Sequence, residues 1–233
     1  MKKNIVIGVT CIIVAFGSII GLAKVCAPKS DTAQEAVSTS VKNKPKTSGK
    51  KTNTDHKKVK STGAEFRPYK DPKDLRKEGT WTKKSETKKH PKINQNETDL
   101  TLRVSLKGNR TYLLRKGKVI YTMLSTGGIY KKGKSLTPTG TYRIQAGRGD
   151  SFFNYNLNEG ANNWTSWSPD NVYLFHSVPT KGDGNYNLNE AAKLGRTQGS
   201  HGCIRLSIPD SKWIMDNIPD GTKVVIKIVK TFR

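Results

Sequence analysis

Cysteine is scarce in this 233-residue chain, and its count of three is odd, which excludes a disulfide framework that uses every cysteine. Acidic residues are also few, 18 Asp+Glu against 42 Lys+Arg, leaving a formal net charge of +24. Hydrophobic residues make up 33% of the chain, less than the roughly 45–50% of an ordinary globular domain, so they must be gathered in one part if a core is to form. Neither C-x₂-C nor H-E-x-x-H occurs, so the ligand spacings of ordinary zinc sites are absent. No internal repeat is found. The excess of base asks for an anionic partner, but the total does not name it.

What is present falls into three regions. Residues 1–23 contain an uncharged run from Ile5 to Ala23 behind Lys2 and Lys3. That length spans a bilayer, which needs about 20 apolar residues. The run reads as an uncleaved signal anchor, because the nearest small-x-small site, Val25-Cys26-Ala27, is followed by Pro28. The two lysines favour a cytoplasmic N-terminus, which places the rest of the chain on the outer side of the cell membrane. Cleavage as a signal peptide is the alternative and would leave the protein secreted.

Residues 24–99 carry 20 Lys+Arg and 10 Asp+Glu, and Phe66, Tyr69 and Trp81 are their only aromatics. Such a segment buries too little apolar surface to offset the entropy of ordering it, and a disordered basic linker is expected. Its lysine pairs serve either solubility or adhesion to an anionic surface, whether phospholipid headgroups or the phosphates of anionic wall polymers.

Residues 100–233 hold 14 of the chain's 18 aromatics. Leu100, Leu102, Val104 and Leu106 alternate as one face of a strand does. Further strands are expected over 111–114, 119–122, 139–145, 172–175 and 222–229. A helix capped by Ser207 with Pro209 in its first turn is expected, and a second over 189–194 stopped by Gly195. The expectation is a mainly β domain with a few short helices.

This domain contains one cysteine, Cys203, and two histidines, His176 and His201. An unpaired extracytoplasmic thiol is a liability unless its reactivity is used. Cys203 lies in Gly199-Ser200-His201-Gly202-Cys203-Ile204-Arg205-Leu206. A neighbouring His or Arg charge would lower the thiol pKa, or an imidazole could take the proton directly.

Leu174-Phe175-His176-Ser177, Ser200-His201-Gly202-Cys203-Ile204-Arg205, Ser125-Thr126-Gly127-Gly128 and Thr137-Pro138-Thr139-Gly140-Thr141-Tyr142 together resemble the motifs of L,D-transpeptidases with a YkuD-type catalytic domain. The resemblance covers roughly residues 100–230 and implies a YkuD-like β-sandwich of mixed sheets. It also implies Cys203 as nucleophile and His176 as general base, with the Ser177 carbonyl orienting the imidazole and His201 supporting the site or acting in it. The amides of Gly202 and Cys203 become oxyanion donors, Ser200 part of the same substrate-binding loop, and Arg205 either a clamp for a substrate carboxylate or the partner of an acidic side chain. Residues 177–200 form a longer spacer than is usual in the family and suggest an inserted loop beside the site.

The implied donor is a peptidoglycan stem tetrapeptide, the acceptor an amine of a neighbouring stem, and the product a 3→3 cross-link. Trimming of stems by hydrolysis, as an L,D-carboxypeptidase, is the alternative, and a catalytically silent wall-binding module is a third reading. Acylation by carbapenems is implied; no metal or organic cofactor and no nucleic acid are.

Overall fold

A computed structural model describes residues 63–228. The expected membrane segment, 1–23, and the linker as far as residue 62 lie outside the described residues.

Alternation along β1 (Leu100–Ser105) buries Leu100, Leu102 and Val104 and leaves Thr101 and Arg103 partly exposed. This strand returns as β2 (Arg110–Arg115), which Lys116 and Gly117, both at positive φ, turn into β3 (Lys118–Thr126). Gly117 would meet nothing if it carried a Cβ, so backbone conformation alone selects glycine there. A small hairpin, β4 (Tyr130–Lys131) with β5 (Lys134–Ser135), stands apart, and β6 (Gly140–Arg143) follows.

A long hairpin, β7 (Arg148–Asn154) and β8 (Glu159–Ser166), leads to β9 (Leu174–Ser177), the short helix α1 (Leu188–Ala191) and β10 (Ile204–Leu206). Helix α2 (Ile208–Asn217) and β11 (Lys223–Lys227) complete the order. Asn187 caps α1 by accepting from the Glu190 amide. Ser207 caps α2 by accepting from the Asp210 amide, with a proline in the first turn.

The expected pair of packed sheets is instead one nine-stranded mixed sheet, in the order β6-β11-β1-β2-β3-β10-β9-β8-β7. Its two halves share β3, which pairs with β2 along most of its length and with β10 at Ser125 and Thr126. Only β1 with β11 and β10 with β9 run parallel. The sheet curls upon itself, because the ring of Tyr142, on the first strand in that order, lies 4.9 Å from that of Trp167, just beyond β8 near the other end. Leu102 and Ile226 thereby belong to the same buried cluster as Phe175, Ile204 and Ile214 of α2, and a second, smaller cluster gathers Leu124, Val178, Ala191 and Leu194.

Residues 63–99 differ from the expected disordered linker. They pack against the domain through Ile93 on the main cluster, through Leu75 and Trp81 on the smaller one, and through buried polar groups. Ser85 and Glu86 are almost wholly buried. Ser85 Oγ donates to the buried Asp210 and accepts from the Leu124 amide, while Glu86 accepts from the Thr122 amide at 2.6 Å. His90 bonds the same Asp210 at 2.7 Å and stacks on Trp213. Arg67 and the buried Arg110 share Asp71 and Glu78. Trp81 packs on Tyr186 of the 177–200 loop. Hydrophobic content undercounts such a strap, since its buried hydrogen bonds and ion pairs satisfy groups that would otherwise be costly to bury.

Candidate active site

Parallel pairing of β9 and β10 sets Ile204 beside Phe175 and Arg205 beside His176, so Cys203 enters β10 at the level of Leu174. Cys203, His176, Ser200 and His201 line one cleft of about 370 Å³, together with Tyr173 and Glu159. His176 is only 3% exposed, with the edge of Phe152 against its ring at 5.5 Å. Its Nδ1 lies 2.6 Å from the carbonyl of Ser177. A carbonyl can only accept, so Nδ1 carries the proton and Nε2 keeps its lone pair. This carbonyl is the one that the resemblance implies as the orienting group. Ser177 Oγ is separately engaged, accepting from the Asn162 amide and donating to the Val178 carbonyl.

Electrostatics favour a neutral pair. Burial pushes the His176 pKa down to about 3, and the Arg205 charge adds to this while the Ser177 carbonyl opposes it. Burial likewise raises the Cys203 thiol to about 11, against the pull of the Leu174 amide and Arg205. Cys203 Sγ lies 3.7 Å from the Val172 carbonyl, within reach of an S–H donor. Of the two sequence readings, these shifts favour direct proton transfer from the thiol to a neutral imidazole over a thiol already ionised by neighbouring charge. At the thiol, burial outweighs Arg205.

The loop before Cys203 is braced from within. Ser200 Oγ accepts from the Gly202 amide at 3.1 Å and donates to the Cys203 carbonyl at 2.6 Å. The Gly202 amide, expected as an oxyanion donor, therefore points at Ser200 in this state, and Ser200 serves as a brace. Gly202 itself has a φ of +142°, and a Cβ there would come within 2.6 Å of the Tyr173 ring. Thr137 holds the same loop from the other side, donating to the Gly202 carbonyl at 2.7 Å and accepting from the Gly128 amide at 2.8 Å. Gly128 bridges Ser200, and the Ile129 amide donates to the Ser200 carbonyl. The Ser125–Gly128 and Thr137–Tyr142 motifs thus meet at the nucleophile loop. His201 is exposed on the cleft wall.

For Arg205 the sequence leaves two partners open, a substrate carboxylate or an acidic side chain of the fold. Arg205 is 1% exposed and engaged by Glu159 and Glu190, so it is the partner of acidic side chains and does not face a substrate as a clamp. Neither glutamate was singled out from sequence. Glu159 opens a polar strand without the alternation that marks β1, and Glu190 sits on a four-residue helix. The cleft walls from β7 and from residues 171–174 were also missed, although the asparagine-rich tip ending at Asn158, at φ +48°, carries a turn signal.

A family model for the YkuD L,D-transpeptidase catalytic domain matches residues 99–226. A Bacillus subtilis (strain 168) protein, YciB, whose name places it with the L,D-transpeptidases, is 42% identical over 146 residues, 63% of this chain and 73% of YciB. Among solved structures, a fused Zn-dependent amidase/peptidase/peptidoglycan-binding domain-containing protein from Clostridium acetobutylicum ATCC 824 is 29% identical with a TM-score of 0.41, over 58% of this chain and 56% of that one. An L,D-transpeptidase from Mycobacterium smegmatis is 16% identical with a TM-score of 0.44, over 55% and 58%. This chain spans less than two thirds of the length of either solved structure. The family match takes in more than half of the chain and contains both His176 and Cys203, and on that match the chain belongs to the YkuD family of L,D-transpeptidase catalytic domains.

Proposed function

We propose that this protein is an L,D-transpeptidase that joins peptidoglycan stem peptides through a Cys203 thioester. One observation carries the reading: a buried imidazole, fixed through Nδ1 by the Ser177 carbonyl at 2.6 Å, shares a cleft with the domain's cysteine.

Cys203 Sγ attacks the carbonyl carbon of the third residue of a donor tetrapeptide, and its proton passes to His176 Nε2. The carbonyl oxygen gathers negative charge, for which the Cys203 amide is the candidate donor. When the tetrahedral intermediate collapses, the C–N bond to the terminal D-alanine breaks and His176 returns the proton to the leaving amine. The thioester is then attacked by an amine of a second stem, whose proton moves through His176 to the departing sulfur. The sum is one amide exchanged for another, the 3→3 cross-link, with no oxidant or outside energy source. Splitting the transfer in two is what a covalent nucleophile contributes.

The apolar run behind Lys2 and Lys3 supports placing this chemistry outside the cytoplasm, on the membrane's wall side. Incubating the full chain with a tetrapeptide-bearing muropeptide and identifying products by mass tests the proposal. Cross-linked dimers with loss of D-alanine are expected. Tripeptides alone would make the protein a carboxypeptidase, and unchanged muropeptide would leave a wall-binding module.

A further inference from the structure

Within the nine-stranded sheet the long β7–β8 hairpin pairs with β9 alone. Its pairing with β9 is limited to Thr165 with Phe175 and Ser166 with Leu174. Farther out, Gly160 and Thr180 exchange backbone hydrogen bonds and the Asn162 amide reaches Ser177 Oγ. Yet this outer part supplies Phe152, Asn154 and Leu157 to the catalytic cleft. Beyond those hydrogen bonds its ionic link to the fold is Glu159, which stands opposite Asn154 beside the hairpin's tip. Both Glu159 carboxylate oxygens accept from Arg205 Nη2, at 2.8 and 2.7 Å.

The other arm of the same guanidinium donates at 2.7 Å to Glu190, which also receives Lys193 Nζ at 2.5 Å. Arg205 lies two residues after Cys203, and Gly199, at the entrance to the nucleophile loop, packs over this junction. A Cβ on Gly199 would lie 3.2 Å from both Arg205 Nη1 and Glu190 Oε2. One buried cation therefore joins the hairpin, the inserted loop and the nucleophile strand. A guanidinium fork suits such a junction, because its donors have fixed directions and its charge must be met wherever it is buried.

We propose that Glu159 is a positioning residue for substrate: through Arg205 it holds the β7–β8 hairpin tip against the cleft, with Glu190 as the second anchor of the same clamp. Its contribution falls mainly on binding, because its charge is the smallest of the influences on the Cys203 thiol. The inference rests on the proposed function for the meaning of "substrate", but the clamp itself is a property of the fold.

The test is Glu159→Gln in the full chain, which keeps shape and one acceptor but removes the charge. Hydrogen exchange of hairpin amides 150–162 should quicken relative to wild type, while amides of β1 and β2 stay as they were. Under carbapenem titration, the concentration giving half-maximal acylation rate should rise about tenfold, the scale of one charge-assisted hydrogen bond, and by more than the limiting rate changes, since the Glu159 charge is the least of the influences on the Cys203 thiol. Glu190→Gln should have a similar effect, and the double variant less than the product of the two, because both act through one guanidinium. Unaltered hairpin exchange would overturn the proposal. So would an effect confined to the limiting rate, which would make Glu159 an electrostatic partner of the reacting pair. If the wild-type chain takes no carbapenem at all, the proposed function fails, while the exchange comparison still decides the clamp.

Discussion

With Cys203 raised to about 11, its thiolate at pH 7 is about one molecule in 10⁴, against about one in 10² for the ordinary value of 9.0. A thiolate of higher pKa is more nucleophilic, with a Brønsted slope of about 0.4–0.5, which returns nearly one order of magnitude. Iodoacetamide should therefore modify Cys203 at pH 7 about tenfold more slowly than a model thiol. The rate should climb log-linearly with pH beyond pH 10. Peptide mapping separates Cys203 from Cys11 and Cys26. Acylation by a carbapenem should behave differently, because His176 takes the proton within the step. Its pH profile should be flat across the neutral range, with limbs displaced outward toward about 3 and about 11. An alkylation rate that levels off by pH 7–8 would show a preformed thiolate–imidazolium pair and refute the neutral resting site.

Two further outcomes follow from the buried polar groups. Since folding holds His176 neutral, the unfolded chain takes up a proton below about pH 6.5 that the folded chain refuses until about pH 3; this share of stability is present above 6.5 and lost as pH falls through that window, up to about 4–5 kcal/mol. Urea titrations between pH 7 and pH 4 should show a shallower loss for His176→Gln, and parallel curves would contradict the assignment. A chain beginning at residue 100 loses the Ser85 and Glu86 partners of Asp210, Thr122 and Leu124, and should be less stable than one beginning at residue 63 by roughly 5 kcal/mol, at about 1–3 kcal/mol for each buried group left unpaired. Equal urea midpoints would show that the strap contributes nothing.

The parts legible in the sequence were those governed by local rules. Alternation from Leu100 to Val104 marks β1, the Ser207 cap with a proline in the first turn marks α2, and the histidine and cysteine motifs mark the site. What was not legible depends on long-range polar pairing. Ser85 is buried because Asp210, 125 residues away, accepts from it, and nothing in the composition of 63–99 signals that. Arg205 finds Glu159 and Glu190 on two elements with weak patterns of their own. Residues flanking Cys203 display their charge in the sequence, whereas burial, the largest influence on its thiol, is visible only once the fold has closed around it.

Intact-mass measurement of the full chain after incubation with a carbapenem, wild type beside Cys203→Ala, tests the central claim most directly. A single covalent adduct on the wild type, mapped to Cys203 and absent from the variant, is the predicted result. An adduct of equal extent on Cys203→Ala, or none on a folded wild-type chain, would contradict it.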